Sequence, residues 1–596
     1  MAYRLLRVDL SSRKIRSEEL HENLVRKFLG GKGLAAYFLY REQPPGADPL
    51  GGESKVAVMA GPLTGCGVSN CTNTALCAKS PATGTWNDSH FNGYFGPELR
   101  YSGYLGMIIE GAADEPVRLH IENGDAELLD ARSIMGLDTF STHDAIKRMH
   151  PGKREARVLC IGQAGERRAK LAAVISELRA AARGGLGAVL GAKRLKAVSV
   201  TGHGKVVPQD TERFKKARKA FLDKIRSSDD VQCGVKLYGT AELVNSVNNA
   251  GGLPTNNFRT GYSGHADDIS GESFRDTLWK RQRPCPGCAV ACSQTAVITE
   301  GKYSGITDEG PEYETITLLG SNCGIYSREA IAAADYLCDF YGMDTISTGN
   351  TIAFLMECVE RKLVDFDLRF GDENAFINAI HLAGRGEGFG ELISNGVRDA
   401  ASRIGCDSER FAMHVKGLEI PAYLPRAAFG QALAYAVSDR GACHLRPWIF
   451  GEEAIDSSRG RETTGKALMV RQKQERSAIY DSVGICKFFT YAGNLGDLLE
   501  LWNGITGFDM QREELVLSGR RINVLTRAFN NREGFTRKDD TLPWREMHEQ
   551  VPTGPAEGSV IEPAVLEGML DEFYAVSGYT KDGVVPESLM RELGIL

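Results

Sequence analysis

Cys285, Cys288 and Cys292 stand in the string Pro284-Cys-Pro-Gly-Cys-Ala-Val-Ala-Cys292, and three thiols at this spacing point to ligation of a soft metal. A fourth ligand must come from elsewhere. The best candidate is Cys486, which closes the segment Asp481-Ser-Val-Gly-Ile-Cys486 and repeats an earlier one, Asp339-Phe-Tyr-Gly-Met-Asp344. One copy ends in a thiol and the other in a carboxylate, which suggests a metal cluster docked beside something that both copies hold symmetrically. The thiol spacing alone serves a tetrahedral zinc ion as well as a [4Fe–4S] cluster. A disulfide framework does not suit a long chain whose other cysteines are scattered.

The two Asp-x-x-Gly segments ask for particular elements to carry them. Asp339 falls in the last turn of a helix read over Ser327 to Phe340, with Gly342 as its terminator, and a carboxylate there opposes the helix dipole. Asp481 stands in the same relation to Gly484, after a helix read over Ala467 to Tyr480. A planar ligand edge carrying N–H donors, such as an aminopyrimidinone, would satisfy each carboxylate by paired charge-assisted hydrogen bonds. Two unrelated Asp turns are the plainer alternative.

The remaining elements follow from pattern. Residues 1 to about 207 read as strand-rich, with short apolar runs at 55–60, 106–110 and 156–161 separated by Gly-rich turns. After Val206-Val-Pro208, Phe214, Ala217, Phe221 and Ile225 recur at helical spacing. A further helix is read over Thr345 to Val364. The chain is therefore expected to be α+β: a β-rich base domain over 1–207, then mainly helical domains over 208–417 and 418–596.

Composition excludes several classes. The 596 residues carry 71 Lys and Arg against 77 Asp and Glu, a formal charge of −6, which gives no electrostatic footprint for nucleic acid. Apolar runs fall short of a membrane span and the N-terminus is not an apolar export signal, so a cytoplasmic location is expected. Gly460-Arg-Glu-Thr-Thr-Gly-Lys466 approaches a phosphate-binding loop, but Ala467 lacks the magnesium-binding hydroxyl, and it reads as a surface loop. Gly184-Gly-Leu-Gly187 has the wrong spacing for a dinucleotide fold. Its neighbours Arg179 and Arg183 would suit a phosphate, although tight packing also uses such glycines.

At this point the chain resembles the aldehyde ferredoxin oxidoreductase family of tungsten enzymes, nearly end to end. The strings that carry the resemblance include Ala60-Gly-Pro-Leu-Thr64, Ala78-Lys-Ser-Pro81, Gly93-Tyr-Phe-Gly96, Arg183-Gly-Gly-Leu-Gly-Ala188, Pro311-Glu-Tyr-Glu314, Asp344-Thr-Ile-Ser347 and Arg440-Gly-Ala-Cys-His444. The resemblance implies a bis-pyranopterin tungsten cofactor on the β-rich base, with Asp339 and Asp481 each holding one pterin and Asp344, Arg183 and Gly93 in the motifs around it. It implies a [4Fe–4S] cluster on Cys285, Cys288, Cys292 and Cys486, and Mg2+ at the pterin phosphates served by Arg179 and the carbonyl of Ala180. Glu314 and His444 become the acid–base pair, Glu314 activating water and His444 hydrogen-bonding the carbonyl, with Tyr313 lining the pocket. The implied reaction is oxidation of an aldehyde to a carboxylic acid, with electrons passed to ferredoxin or a ferredoxin-like subunit.

The chain also departs from that family. Asn73 stands where the family often has Arg, and His90 where it often has the magnesium-binding Asn, so Arg179 is expected to carry more of the phosphate contact. Ala333 and Ile377 replace the Glu and His that bridge a dimer through a metal in some members, which argues against that dimer. Cys323, in Gly320-Ser-Asn-Cys-Gly324, is a candidate direct tungsten ligand, as in the branch that reduces aromatic acyl-CoA thioesters; a small core residue is its plainer reading. An acyl-CoA reductase subunit and an electron-transfer subunit without pterin are the alternative functions.

Overall fold

The computed structural model describes residues 3–152, 154–455 and 459–596. Two six-stranded sheets occupy the first third of the chain. The first comprises β1 (Tyr3–Asp9), β2 (Lys14–Leu20), β3 (Val56–Ala60), β4 (Thr74–Lys79), β5 (Trp86–Phe91) and β6 (Gly106–Glu110), in the order β2-β1-β6-β3-β4-β5. The second comprises β7 (Val117–Glu122), β8 (Asp125–Asp130), β9 (Arg157–Cys160), β10 (Val174–Ser176), β11 (Arg179–Ala181) and β12 (Leu195–Thr201). Read from its far edge, its order is β8-β7-β12-β9-β10-β11, which is the connectivity of the first sheet used again. The parallel pair falls at the same place in each, β1 with β6 and β7 with β12.

Burial explains why these strands read as short apolar runs. Val56 and Val58 of β3 pack with Leu119, Val198 and Val200 of the second sheet. Ala57 and Met59 pack on the other face with Leu34 and Leu39 and with Ile479, Val483 and Ile522. A strand covered on both sides cannot alternate with polar residues. The first sheet thus lies between the second sheet and the helices Gly31–Glu42, Lys466–Val483 and Arg512–Arg532.

The second sheet ends at Thr201, and the next helix runs Thr211–Ser227 with Asp210 accepting at its N-cap; only a small three-stranded and a two-stranded sheet follow among the described residues. The helix read from Ser327 is Arg328–Tyr341, capped by the Ser327 hydroxyl and closed by Gly342 at φ 72°. The helix read to Val364 stops earlier, as Thr345–Glu360. Lys362 turns left-handed at φ 60° and Leu363 N–H returns to the Cys358 carbonyl at 2.9 Å, so the chain reverses although apolar residues continue. The Gly460–Lys466 string is exposed only from Arg461 to Gly465. Lys466 opens the following helix, buried and ion-paired with Glu453.

The Asp-x-x-Gly segments dock the helical part onto the base in matching ways. In each, the residue after the glycine bonds back five positions, Met343 N–H to Cys338 C=O at 2.8 Å and Ile485 N–H to Tyr480 C=O at 3.3 Å. Each glycine carbonyl accepts from a base loop, Gly342 from Ala173 N–H at 2.9 Å and Gly484 from Asn73 N–H at 3.3 Å. Each final residue donates in return, Asp344 to Leu171 C=O at 3.0 Å and Cys486 to Asn70 C=O at 2.7 Å. The two segments sit on the two sheets as related copies.

That docking depends on glycines that admit close backbone. A Cβ on Gly61 would lie 2.0 Å from the Val483 carbonyl carbon, and one on Gly162 would lie 2.3 Å from the Tyr341 oxygen. We therefore expect Gly61→Ala to lower the thermal unfolding midpoint by the equivalent of about 1–3 kcal/mol, the usual cost of overpacking. Gly52→Ala, with open space around the added Cβ, should leave it unchanged.

Candidate functional site

The site forms where the edge strands of the two sheets meet. β5 and β11 are the edges concerned, and they are bridged by Asn87 Nδ2 donating to the Arg183 carbonyl at 3.0 Å and Arg183 N–H donating to Ser89 Oγ at 3.2 Å. The alternation of β5 turns Asp88 and His90 to the opposite face from Asn87 and Ser89. Asp481, in the last turn of Lys466–Val483, arrives on that face.

Around Asp481 lies a buried network of charge. Its Oδ1 is 3.0 Å from Lys487 Nζ and 3.9 Å from His90 Nδ1, and its Oδ2 is 3.4 Å from Arg446 Nε. Burial raises the carboxyl, but Lys487, His90 and Arg446 outweigh it and bring the pKa down to about 2. Asp88 is 2.9 Å from Arg446 Nε and 3.6 Å from Lys32 Nζ, and Lys32 reaches Asp439 at 2.6 Å. His90 bridges Asp88 Oδ2 and Asn73 Oδ1 at 2.9 Å each, and burial depresses its pKa. Asn73 Nδ2 donates to the Ile485 carbonyl at 3.3 Å, tying the base loop to the second Asp-x-x-Gly segment.

Asp339 sits in different surroundings. Burial, with Asp308, Asp335 and Glu309 nearby, holds its carboxyl well above the usual range, and Arg179 opposes this. Arg179 pairs with Glu309 at 2.5 Å and donates to Cys285 Sγ at 3.7 Å, so its guanidinium is engaged at the thiols. Gly93 packs against the Arg179 stem, and Ala180 lies on the edge strand β11. Asp344 caps the helix Thr345–Glu360 through Ile346 N–H at 3.1 Å, and lies 3.6 Å from Arg183 Nε. Arg183 Nη2 donates to the carbonyls of Glu419 and Ala442 at 2.5 and 3.4 Å. The Gly184-Gly185 turn that follows Arg183 is packed against protein: added Cβ atoms would meet Asn87 and the Lys170 carbonyl.

The cysteine string is the loop between two antiparallel strands, Trp279–Gln282 and Gln294–Val297. Its thiols and Cys486 perturb one another electrostatically: Cys292 is raised by burial, Glu312 and then Cys486 and Cys285, and Cys486 is pushed up to about 12 by burial and then Cys288 and Cys285. Yet the one group of three or more candidate ligand atoms within 4.8 Å of one another, among the described residues, is Asp88, His90 and Asp481. A single zinc ion with Zn–S near about 2.3 Å would need the thiols closer than that. Cys323 lies apart, fully buried, with its Sγ 3.3 Å from the carbonyls of Leu318 and Gly349.

Glu314 and His444 meet under an aromatic wall. Glu314 Oε1 is 3.4 Å from His444 Nδ1, and its Oε2 accepts from Ala422 N–H at 2.9 Å. Burial raises Glu314 to about 8. Burial, then Arg440, Arg183 and Arg446, holds His444 well below its ordinary value. At neutral pH both are uncharged, so this is a contact of neutral groups rather than a salt bridge, and Glu314 Oε1 and His444 Nδ1 are buried without a hydrogen-bond partner. Tyr313 donates to the Ala422 carbonyl at 2.5 Å, its ring 5.1 Å from that of Tyr423, which in turn lies 5.9 Å from His444.

A sequence model of the aldehyde ferredoxin oxidoreductase N-terminal domain matches residues 5–202, and one of domains 2 and 3 matches 216–595. The chain belongs to the aldehyde ferredoxin oxidoreductase family. It is 36% identical over 607 residues to the tungsten-containing aldehyde ferredoxin oxidoreductase of Pyrococcus abyssi, spanning 99% of this chain and 98% of that one. It is 32% identical over 628 residues to the aliphatic sulfonate oxidoreductase, WOR-like subunit, of Pyrococcus furiosus, spanning 99% and 96%. The active-site complex of benzoyl coenzyme A reductase, solved with 1,5-dienoyl-CoA, superposes with a TM-score of 0.86 at 22% identity over 100% of this chain and 98% of that one; this likeness is one of fold.

Within this family frame, the sequence reading missed Asp88, Lys32, Arg446, Lys487 and Tyr423. Asp88 had a signal, since it precedes His90 by two on a strand. Lys32 and Arg446 had none, because their partners lie on other elements, from 35 to 407 residues away. No described helix is long and apolar enough to cross a membrane. We expect Asp88→Asn, which removes the buried carboxylate shared by Arg446 and Lys32, to cost about 3–5 kcal/mol in a denaturant unfolding measurement. Asp130→Asn, which breaks an exposed pair with Arg132, should leave the midpoint in place.

Proposed function

We propose that this chain is a tungsten-dependent oxidoreductase that converts aldehydes to carboxylic acids and passes the electrons to ferredoxin or a partner electron-transfer subunit. The observation that carries the reading is the uncharged Glu314–His444 pair beside the Asp481 network. Oxidation of an aldehyde adds one water oxygen to the carbonyl carbon and releases two electrons and two protons. The pair supplies groups that can take a proton and hold an oxygen.

The residues present fit the implied cofactor. Both oxygens of Asp481, and Arg183 Nε and Nη1, lack an oriented hydrogen-bond partner although buried, so acceptors and donors remain for a polar ligand. Asp339 and Asp481 would hold one pterin each, while Arg183, Asp344 and Gly93 line its surroundings. His90 and the Ala180 carbonyl, on corresponding edge strands, would serve Mg2+ and the phosphates, with Asn73 as a neutral contact to His90. Arg179, engaged by Glu309 and Cys285, would serve the boundary between cofactor and cluster. Cys285, Cys288, Cys292 and Cys486 would hold [4Fe–4S], whose size suits thiols spread more widely than one ion allows. When bound, the tungsten pterin supplies a two-electron acceptor and the cluster a one-electron outlet. Cys323 spends its thiol on two carbonyls and is not called on.

Glu314 is the proton acceptor in this reading. A pKa near the working pH is the useful one for such a group, and burial provides it. His444 stays neutral with a single ring N–H: while Glu314 is protonated its O–H can face Nδ1 and leave Nε2–H for the substrate carbonyl, and once Glu314 is a carboxylate Nδ1–H faces it and Nε2 accepts from a substrate or water O–H. Tyr313 and Tyr423 form the apolar wall that excludes water.

The accepting form of Glu314 is the carboxylate, which appears as pH rises through about 8. Aldehyde turnover should therefore rise across that range, measured with an artificial electron acceptor. Glu314→Gln should lower turnover by about 10²-fold and flatten the profile while metal content is kept. A rate that falls across that range in the wild type, or a variant as fast as the wild type, would remove Glu314 from this role.

Elemental analysis of protein from its native host should give one tungsten and about four irons per chain. Cys486→Ser should weaken or abolish the cluster's electron paramagnetic resonance signal and leave tungsten in place. Stoichiometric zinc without tungsten would overturn the cofactor reading, and an unaltered cluster signal in the variant would overturn the ligand assignment.

A further inference from the structure

Two thiols, Cys66 and Cys71, stand close to the cluster cysteines and have no part in the reading above. Cys71 is buried in one packed hydrophobic cluster, and Cys66 and Cys288 pack against it. Cys66 is partly exposed beside the exposed Gly67, whereas Cys71 is buried. Backbone bonds bring the two ends of the loop together: Gly65 N–H donates to the Cys71 carbonyl at 2.9 Å and Cys71 N–H to the Val68 carbonyl at 3.3 Å. The two cysteines are therefore held at the ends of one closed loop, both as free thiols. Arg218 lies within electrostatic reach of Cys66, and a cation there favours a thiolate nucleophile.

The same loop grips the cluster cysteines. Ser69 Oγ donates to Cys288 Sγ at 3.6 Å and accepts from Ala289 N–H at 3.0 Å. The Asn70 carbonyl accepts the Cys486 N–H at 2.7 Å, and Cys71 feels the charge of both Cys288 and Cys486. The corresponding loop of the second sheet, around 162–173, contains no cysteine. The pair thus occurs only in the half of the base that meets Cys486.

We propose that Cys66 and Cys71 form a reversible dithiol–disulfide couple, a two-electron redox site seated against the cluster cysteines. Cys66, as thiolate, attacks one sulfur of a small-molecule disulfide; that S–S bond breaks and one small thiolate leaves. Cys71 then loses its proton and attacks the Cys66 sulfur, forming the Cys66–Cys71 bond and expelling the second small thiolate. The two protons lost by the protein reach the two released thiolates. One external disulfide is reduced to two thiols while two protein thiols become one disulfide. Bonding shortens the sulfur separation to about 2.0 Å, and the movement is transmitted through Ser69 and Asn70 to Cys288 and Cys486. The couple rests on Cys66 and Cys71 alone; its effect on the cluster rests on the ligand assignment proposed above.

The test poises anaerobic holoenzyme in mixtures of reduced and oxidised glutathione, a linear disulfide whose halves leave separately. Samples are quenched in acid, unfolded, alkylated and digested, and the peptide 56–79 is weighed. It holds Cys66, Cys71 and the buried Cys77, which serves as an internal reference. We expect two of its three labels to be lost together at one poise and regained on reduction. Three labels at every poise would overturn the couple. In Cys71→Ser, Cys66 should instead stop as a mixed disulfide, and an unmodified Cys66 there would also count against the proposal. The midpoint potential of the cluster, followed by electron paramagnetic resonance, should differ between the dithiol and disulfide forms of the wild type. An unchanged midpoint would overturn the link to the cluster while leaving the couple itself to the mass measurement.

Discussion

The structure turns on the way two helix ends are spliced into two sheets. Each helix stops at a glycine in the left-handed region, Gly342 and Gly484, and then trades hydrogen bonds with a base loop. At both ends buried backbone groups would otherwise lose their partners, at a cost of about 1–3 kcal/mol each. Because the exchange fixes the last turn, it also fixes where Asp339 and Asp481 stand. Everything later in the site is measured from those two carboxylates.

The two halves are alike in backbone and unlike in charge. Asp481 enters a set of cations that keeps it ionised, whereas Asp339 enters a cluster of acids that raises it. The duplicated sheet thus offers two geometrically related seats with different electrostatics. Likewise the second segment ends in Cys486, facing the other thiols, and the first in Asp344, capping a helix beside Arg183. The duplicated scaffold thus brings a thiol to this position on one side only.

Burial sets the chemistry of the remaining pair. Glu314 and His444 are each pushed toward the uncharged form by loss of water, and the surrounding arginines push His444 further. The same three arginines, Arg183, Arg440 and Arg446, are committed to carbonyls, carboxylates and the Cys443 thiol. Electrostatic influence on the pair is therefore built into the frame and does not depend on a mobile side chain.

The sequence by itself determined the elements whose signals are local. The Asp-x-x-Gly repeat, the Ser327 cap, the β-rich first third and the thiol spacing all follow from neighbours within a few residues, where periodicity and capping act. The whole-chain resemblance supplied the family. What only the tertiary structure decided is relational. The repeated sheet connectivity is invisible because its strands share a pattern of burial rather than residues. Lys32, Asp88, Arg446 and Asp481 are brought together from four separate elements, and the opposite ionisation of the two aspartates arises from that assembly. Cys66 and Cys71 looked scattered in sequence, and only the docking of loop 61–73 on 483–486 sets them near Cys288 and Cys486. Ionisation and reactivity depend on through-space charge and loss of water, and neither is fixed until the chain has folded.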